Sequence, residues 1–268
     1  MNAPKWAVTF VQVALFFSIV ALFAYAVSMS RAGCPDCLEE FASNGVKLDL
    51  LALEMPADGN ELRGTLYLGK PFSHAVREVY EKQTSVDDVF LWLYPAQFVL
   101  ACFYFALTAG TKLSRPLLLI ASLVMIFAGW LDHRENRFIH AILRDSGSHF
   151  NQLAREVTQV SMQKWLWFGM AAFLAAVGLV SRMKGGGSKG LTGNASSVLC
   201  AALMSTSLLV IVGRALSNRN IVGWSAVAFS IFPLALLWLL YLKPWAESID
   251  SWLRSRFGLQ RRASSGTI

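Results

Sequence analysis

Within Trp130–His140, the stretch WLDHRENRFIH, two carboxylates (Asp132, Glu135), a carboxamide (Asn136), two imidazoles (His133, His140) and two guanidinium groups (Arg134, Arg137) follow directly on an apolar run. On a continuing helix Asp132, Glu135 and Asn136 stand at i, i+3 and i+4 and share one face, while His133, Arg137, His140 and Arg144 line another. An acid pair with an amide can bind a cation, hold a proton on one carboxyl, or pair with a neighbouring helix. Charged groups at a membrane mark such sites more often than on soluble surfaces. The packing alternative pairs the carboxylates with Arg134 or Arg137 and turns Asn136 onto a loop backbone.

Two other chemistries are open to these residue types. Asp132, His133 and His140 are candidate zinc ligands that leave a position for water, with Glu135 as the candidate catalytic base. The four histidines, His74, His133, His140 and His149, all fall in outer segments, but no H-E-x-x-H pattern is present. Cys34 and Cys37 form a C-x-x-C just after the first apolar run, which suits a disulfide in an oxidising compartment or a redox couple at a helix start. The other two cysteines, Cys102 and Cys200, lie in apolar runs and offer no outer relay pair, so the disulfide is the favoured reading.

The elements that must position these groups are membrane helices. Apolar residues make up 55% of the chain and charged residues 15%, a balance that excludes an ordinary soluble core at this length. Uncharged runs occupy Trp6–Ser30, Val89–Thr111, Pro116–Leu131, Trp165–Ser181, Gly190–Gly213 and Asn220–Leu242. Each approaches the roughly 20 residues that cross about 30 Å of hydrocarbon. The expected fold is all-α, a six-span transmembrane bundle. Its segments are a first helix at 1–30, an outer segment at 31–88, two spans at 89–131, an outer polar segment at 132–164, three spans at 165–242 and a basic amphipathic tail at 243–268. Ala24-Tyr25-Ala26 matches a signal-cleavage pattern, but the preceding apolar run exceeds the roughly 7–15 residues of a signal, so the first helix reads as an anchor.

Lysine and arginine gather between the second and third spans, between the fourth and fifth, and after the sixth. The positive-inside bias then puts these segments and both termini in the cytoplasm, and residues 31–88 and 132–164 outside. The net charge of +7 reflects this bias. It is not a basic stripe interleaved with aromatics, so no nucleic-acid partner is expected. In the first outer segment, β-capable runs at Val46–Leu53 and Leu62–Leu68 flank the turn-forming string PADGN and predict a small β-hairpin. Ser73–Val86 reads as a polar helix leading into the second span. Arg137–Met162, interrupted by Asp145-Ser146-Gly147-Ser148, reads as two amphipathic helices lying on the outer surface.

Asp87–Tyr94 has the form D-x-x-F-x-x-x-Y entering a span, Asp132–Asn136 has the form D-x-x-E-N leaving the next, and Glu54 precedes both in the run ALEMP. In this order the motifs, over roughly residues 1–140, resemble a group of uncharacterised bacterial polytopic membrane proteins with no assigned activity. The resemblance implies a bacterial inner membrane and singles out Glu54, Asp87, Tyr94, Asp132, Glu135 and Asn136. His133, Arg134 and Arg137 make this chain more polar there than the group.

The sequence thus leads to a non-catalytic membrane protein that binds a lipid headgroup, an ion or a partner subunit through Asp87, Tyr94, Asp132, Glu135 and Asn136. The alternative expectation is a metal-dependent hydrolase acting on lipids at the outer leaflet, with zinc as its cofactor.

Overall fold

A computed structural model of the chain describes residues 4–32, 50–108 and 112–184, together with positions 204, 207, 208, 212 and 213. Among the described residues there are six helices and no strand: α1 (Lys5–Ala32), α2 (Leu50–Glu54), α3 (Gly59–Thr65), α4 (Ser73–Leu107), α5 (Ser114–Arg144) and α6 (Phe150–Lys184). Four of them, α1, α4, α5 and α6, are long and apolar enough to cross a membrane. The expected fifth and sixth spans, apart from those five positions, lie outside the described residues, as do Cys34, Cys37 and the basic tail.

The long helices exceed what a bilayer needs. At 1.5 Å per residue, the 35 residues of α4 and of α6 each make about 52 Å of helix against about 30 Å of hydrocarbon. Their projecting ends, with the last turns of α5 and the short α2 and α3, build a polar cap on one end of the bundle. Arg137–Met162 therefore does not form separate helices lying on the surface. Apart from the loop at 145–149 it belongs to the projecting end of α5 and the first turns of α6, each continuous with its apolar part. Its apolar stripe is used internally: Ile139, Ile142, Leu143 and Val157 are buried with Leu62 of α3, Leu66 at its C-terminal cap, and Val76, Val79 and Tyr80 of α4.

The expected hairpin is replaced by helices over the described part of its span, Val46–Asp49 lying outside it. Asp58 caps α3, its Oδ1 accepting from the backbone N–H of Asn60 at 2.8 Å and of Glu61 at 2.9 Å. The Glu61 carboxylate accepts in turn from the Ala57 N–H at 2.6 Å. Asp58 thus satisfies open helix donors while Glu61 ties down the residue before the cap, and together they convert PADGN from a turn between strands into a helix start. Gly59 permits the docking of α3 on α6: its N–H donates to Asn151 Oδ1 at 3.1 Å, and a Cβ there would stand 2.7 Å from the Asn151 nitrogen.

Beneath the cap a second core, of Leu15, Phe98, Ala101, Phe105, Leu118, Ala121, Met125, Ala128, Ala171 and Ala175 among others, holds the membrane-spanning parts together. Small residues let backbones approach where no hydrophobic drive separates helix from lipid. A Cβ on Gly129 of α5 would meet Pro95 Cγ of α4 at 2.8 Å, and one on Gly178 of α6 would meet Leu118 Cγ at 3.0 Å. The cap is clamped from above by Arg77, whose guanidinium donates to the Leu143 and Asp145 carbonyls at 2.7 and 2.9 Å and closes the end of α5. Arg63 donates to the carbonyl of Gly147, which takes the left-handed backbone conformation at φ 107°.

Candidate functional site

Between the two cores the helices carry a polar layer. The alternating chain direction brings the end of α1, the middle of α4, the end of the apolar part of α5 and the start of the apolar part of α6 to one level. Asp132, Glu135 and Asn136 are all buried there, on the side of α5 that faces α4 and α6. Lys164 of α6, also buried, reaches between the two acids, donating to Asp132 Oδ1 at 3.0 Å and to Glu135 Oε2. The Tyr94 hydroxyl donates to the other oxygen of Asp132 at 2.7 Å.

A second half of the network continues toward α1. The Asn136 amide donates to Asp87 Oδ2 and Asp88 Oδ1, both at 3.1 Å, and the Tyr25 hydroxyl donates to Asp87 Oδ1 at 2.9 Å. Rings brace the donors: Tyr25 stacks on Phe90 at 4.3 Å between centroids, Phe90 lies 4.9 Å from Tyr94, and Tyr94 lies 5.8 Å from Phe168. The close approach of Gly129 to Pro95 sets α5 against α4 one residue from Tyr94. At the rim, His140 Nε2 lies 3.1 Å from Asp88 Oδ2, with the imidazole side chain 26% and the carboxylate 44% exposed.

The five residues therefore sit in one polar layer as two hydrogen-bonded groups, Tyr94, Asp132 and Glu135 around Lys164 and Asp87 with Asn136, the Phe90 ring packing between Tyr25 and Tyr94. Glu54 of α2 stands near enough to add its charge to the field at Lys164 and Glu135. The candidate zinc ligands do not converge. His133 follows Asp132 by one residue, about 100° around the helix, and is exposed beside Trp92 at 6.4 Å between ring centroids. His140 pairs with Asp88 instead. Among the described residues no group of three or more His, Cys, Asp or Glu is placed to hold a metal ion. The candidate base Glu135 is bonded through Oε2 to the Lys164 ammonium. The free thiol described is Cys102, buried in the lower core.

Lys164 is the residue that sequence reasoning missed. Its contacts lie 29 and 32 positions away along the chain, beyond any helical pattern. A signal was nevertheless present: Lys164 is the last charge before Trp165–Ser181, and Asp132 is the first charge after Pro116–Leu131. In antiparallel spans those two positions meet at one depth.

The charges do not balance. Among the described residues, Asp87, Asp132 and Glu135, with Asp88 at the rim and Glu54 nearby, share the layer with one ammonium that bonds two of them, and Glu135 Oε1 is buried with no hydrogen-bond partner. The arrangement is suited to hold a cation or a proton against Lys164. The chain matches no protein-family model, no curated protein and no solved structure.

Proposed function

We infer that this chain is a non-catalytic membrane protein that binds a small inorganic cation in the polar layer, in competition with the Lys164 ammonium. The observation that carries the reading is the excess, among the described residues, of buried carboxylates over Lys164, with Glu135 Oε1 left unsatisfied beside it. Buried charge is stable only when paired, so an acidic excess in a low dielectric favours any cation small enough to enter. Burial also narrows the ligand. The side chains of Asp132 and Glu135 are 10% and 1% exposed, which shuts out a lipid headgroup, whereas Asp88 and His140 at the rim give an ion a polar path inward. In the same reading the chain is a six-span protein of a bacterial inner membrane with both termini in the cytoplasm and the polar cap outside. The distribution of lysine and arginine and the resemblance of the D-x-x-F-x-x-x-Y and D-x-x-E-N motifs support that placement.

The test compares thermal midpoints of the detergent-purified protein in sodium, potassium, calcium and choline chlorides at matched ionic strength. Lys164→Met vacates the cation seat, so at least one inorganic cation should raise its midpoint over choline, and adding Glu135→Gln should remove the response. At a concentration one hundred times Kd the stabilisation is about 2.7 kcal/mol. Identical midpoints in all four salts, for wild type and Lys164→Met alike, would exclude cation binding here.

A further inference from the structure

The outward side of α5 has an order of its own. Leu123, Ile126 and Trp130 are exposed at helical spacing along its membrane-spanning part, and the same stripe continues into exposed Arg134 and Arg137, with His133 alongside. Trp130 stacks on Phe127 at 5.6 Å, and the Arg134 guanidinium lies 5.4 Å over the Trp130 ring. On α4, exposed Trp92 stands next to His133. Among the described residues His133, Arg134 and Arg137 form no ion pair and no hydrogen bond, while the acids nearest in sequence, Asp132 and Glu135, are turned inward onto Lys164.

We propose that this stripe is a binding site for an anionic phospholipid. The phosphate is held by Arg134 and Arg137, the glycerol region rests against Trp130, and an acyl chain lies along Ile126 and Leu123. Three features select this occupant. The apolar part is a lipid-facing surface, and tryptophan at its edge marks the depth of the headgroups. Beyond it stand guanidinium groups that no carboxylate among the described residues neutralises, and arginine takes a phosphate through paired donors. Apolar, aromatic and basic groups follow one another along one helix face in the order of acyl chain, glycerol and phosphate. The site does not depend on whether the polar layer takes up a cation, because it uses the opposite side of α5.

The test is retention of dioleoyl phosphatidylglycerol against dioleoyl phosphatidylcholine by the full chain, measured by native mass spectrometry after release from nanodiscs. Arg134→Gln with Arg137→Gln should weaken phosphatidylglycerol retention by about 30-fold, from ~1 kcal/mol for each arginine at an anionic surface. Lys112→Gln, exposed at the other end of the bundle, should leave it unchanged. Arg134→Lys with Arg137→Lys keeps the charge but not the paired donors and should recover part of it, which separates a lost site from a damaged fold. The proposal is overturned by equal retention of both lipids, by equal loss in the Lys112 variant, by no loss in the glutamine variant, or by loss of a co-purifying protein with lipid retention intact.

Discussion

Lys164→Met is the sharpest probe of the polar layer, because it keeps the apolar stem of the side chain and removes its charge. In the wild type the ammonium lies 3.0 Å from Asp132 Oδ1 and also bonds Glu135, and all three side chains are at most 10% exposed. Removing one partner from a buried pair costs about 3–5 kcal/mol, since the remaining charge has no compensation. Here two carboxylates lose the same cation. The Tyr94 hydroxyl still holds Asp132 Oδ2 at 2.7 Å and offsets part of that loss, so the expected destabilisation stays at the upper end, about 4–5 kcal/mol. Folded chains have about 5–15 kcal/mol in all, so the loss is severe. Adding Glu135→Gln removes one of the two abandoned charges and should restore about 2–3 kcal/mol as a coupling between neighbours. The assay is reversible unfolding in mixed micelles with rising dodecyl sulfate, followed by helicity, for wild type, both single variants and the double variant. A Lys164→Met cost within about 1 kcal/mol, the scale of a solvated surface pair, would refute the reasoning, as would a double variant no more stable than Lys164→Met.

Two further outcomes test the elements around the layer. Gly129→Ala places a Cβ where Pro95 Cγ stands 2.8 Å away, and such overpacking costs about 1–3 kcal/mol; the penalty should shrink in a Pro95→Ala background, and an equal penalty in both, measured by the same unfolding assay, would mean that the helices do not meet there. In the cap loop, the hydrogen bond from His149 and the Gly147 and His149 N–H groups pull the Asp145 carboxyl down from 3.8 to about 2. A folded value below the unfolded one stabilises the loop above 3.8, and that contribution disappears as the pH falls through about 2. Pepsin should therefore cut residues 145–149 increasingly as the pH drops from about 4 to about 2, and cut an Asp145→Asn chain throughout that range. Cleavage of both chains at the same rate would sink the assignment.

The membrane-spanning parts of α1, α4, α5 and α6 were legible as uncharged runs of the right length, because the bilayer imposes a composition that can be read residue by residue. The shared face of Asp132, Glu135 and Asn136 was legible for a similar reason: helical spacing is local. What the sequence concealed was tertiary. Lys164 meets its partners through the antiparallel return of α6, and no pattern within α5 announces it. Arg137–Met162 carried a true amphipathic stripe, but amphipathicity does not say whether the apolar side meets lipid or α3 and α4. At PADGN the error lay in the weighing of signals. Asp, Gly and Asn are turn formers, yet Asp58 accepts from the open N–H groups of Asn60 and Glu61, and that favours a helix.

The pairing of α5 with α6 also has a consequence for how the chain is made. Asp132 leaves the ribosome 32 residues ahead of Lys164, which at synthesis rates of about 5–20 residues per second is a lag of about 2–6 s. During that interval Asp132 and Glu135 have no ammonium to meet, and the end of α5 cannot settle at its final depth without stranding them. Entry of the two helices as a hairpin assembles the cluster in the same step that completes insertion and strands neither acid.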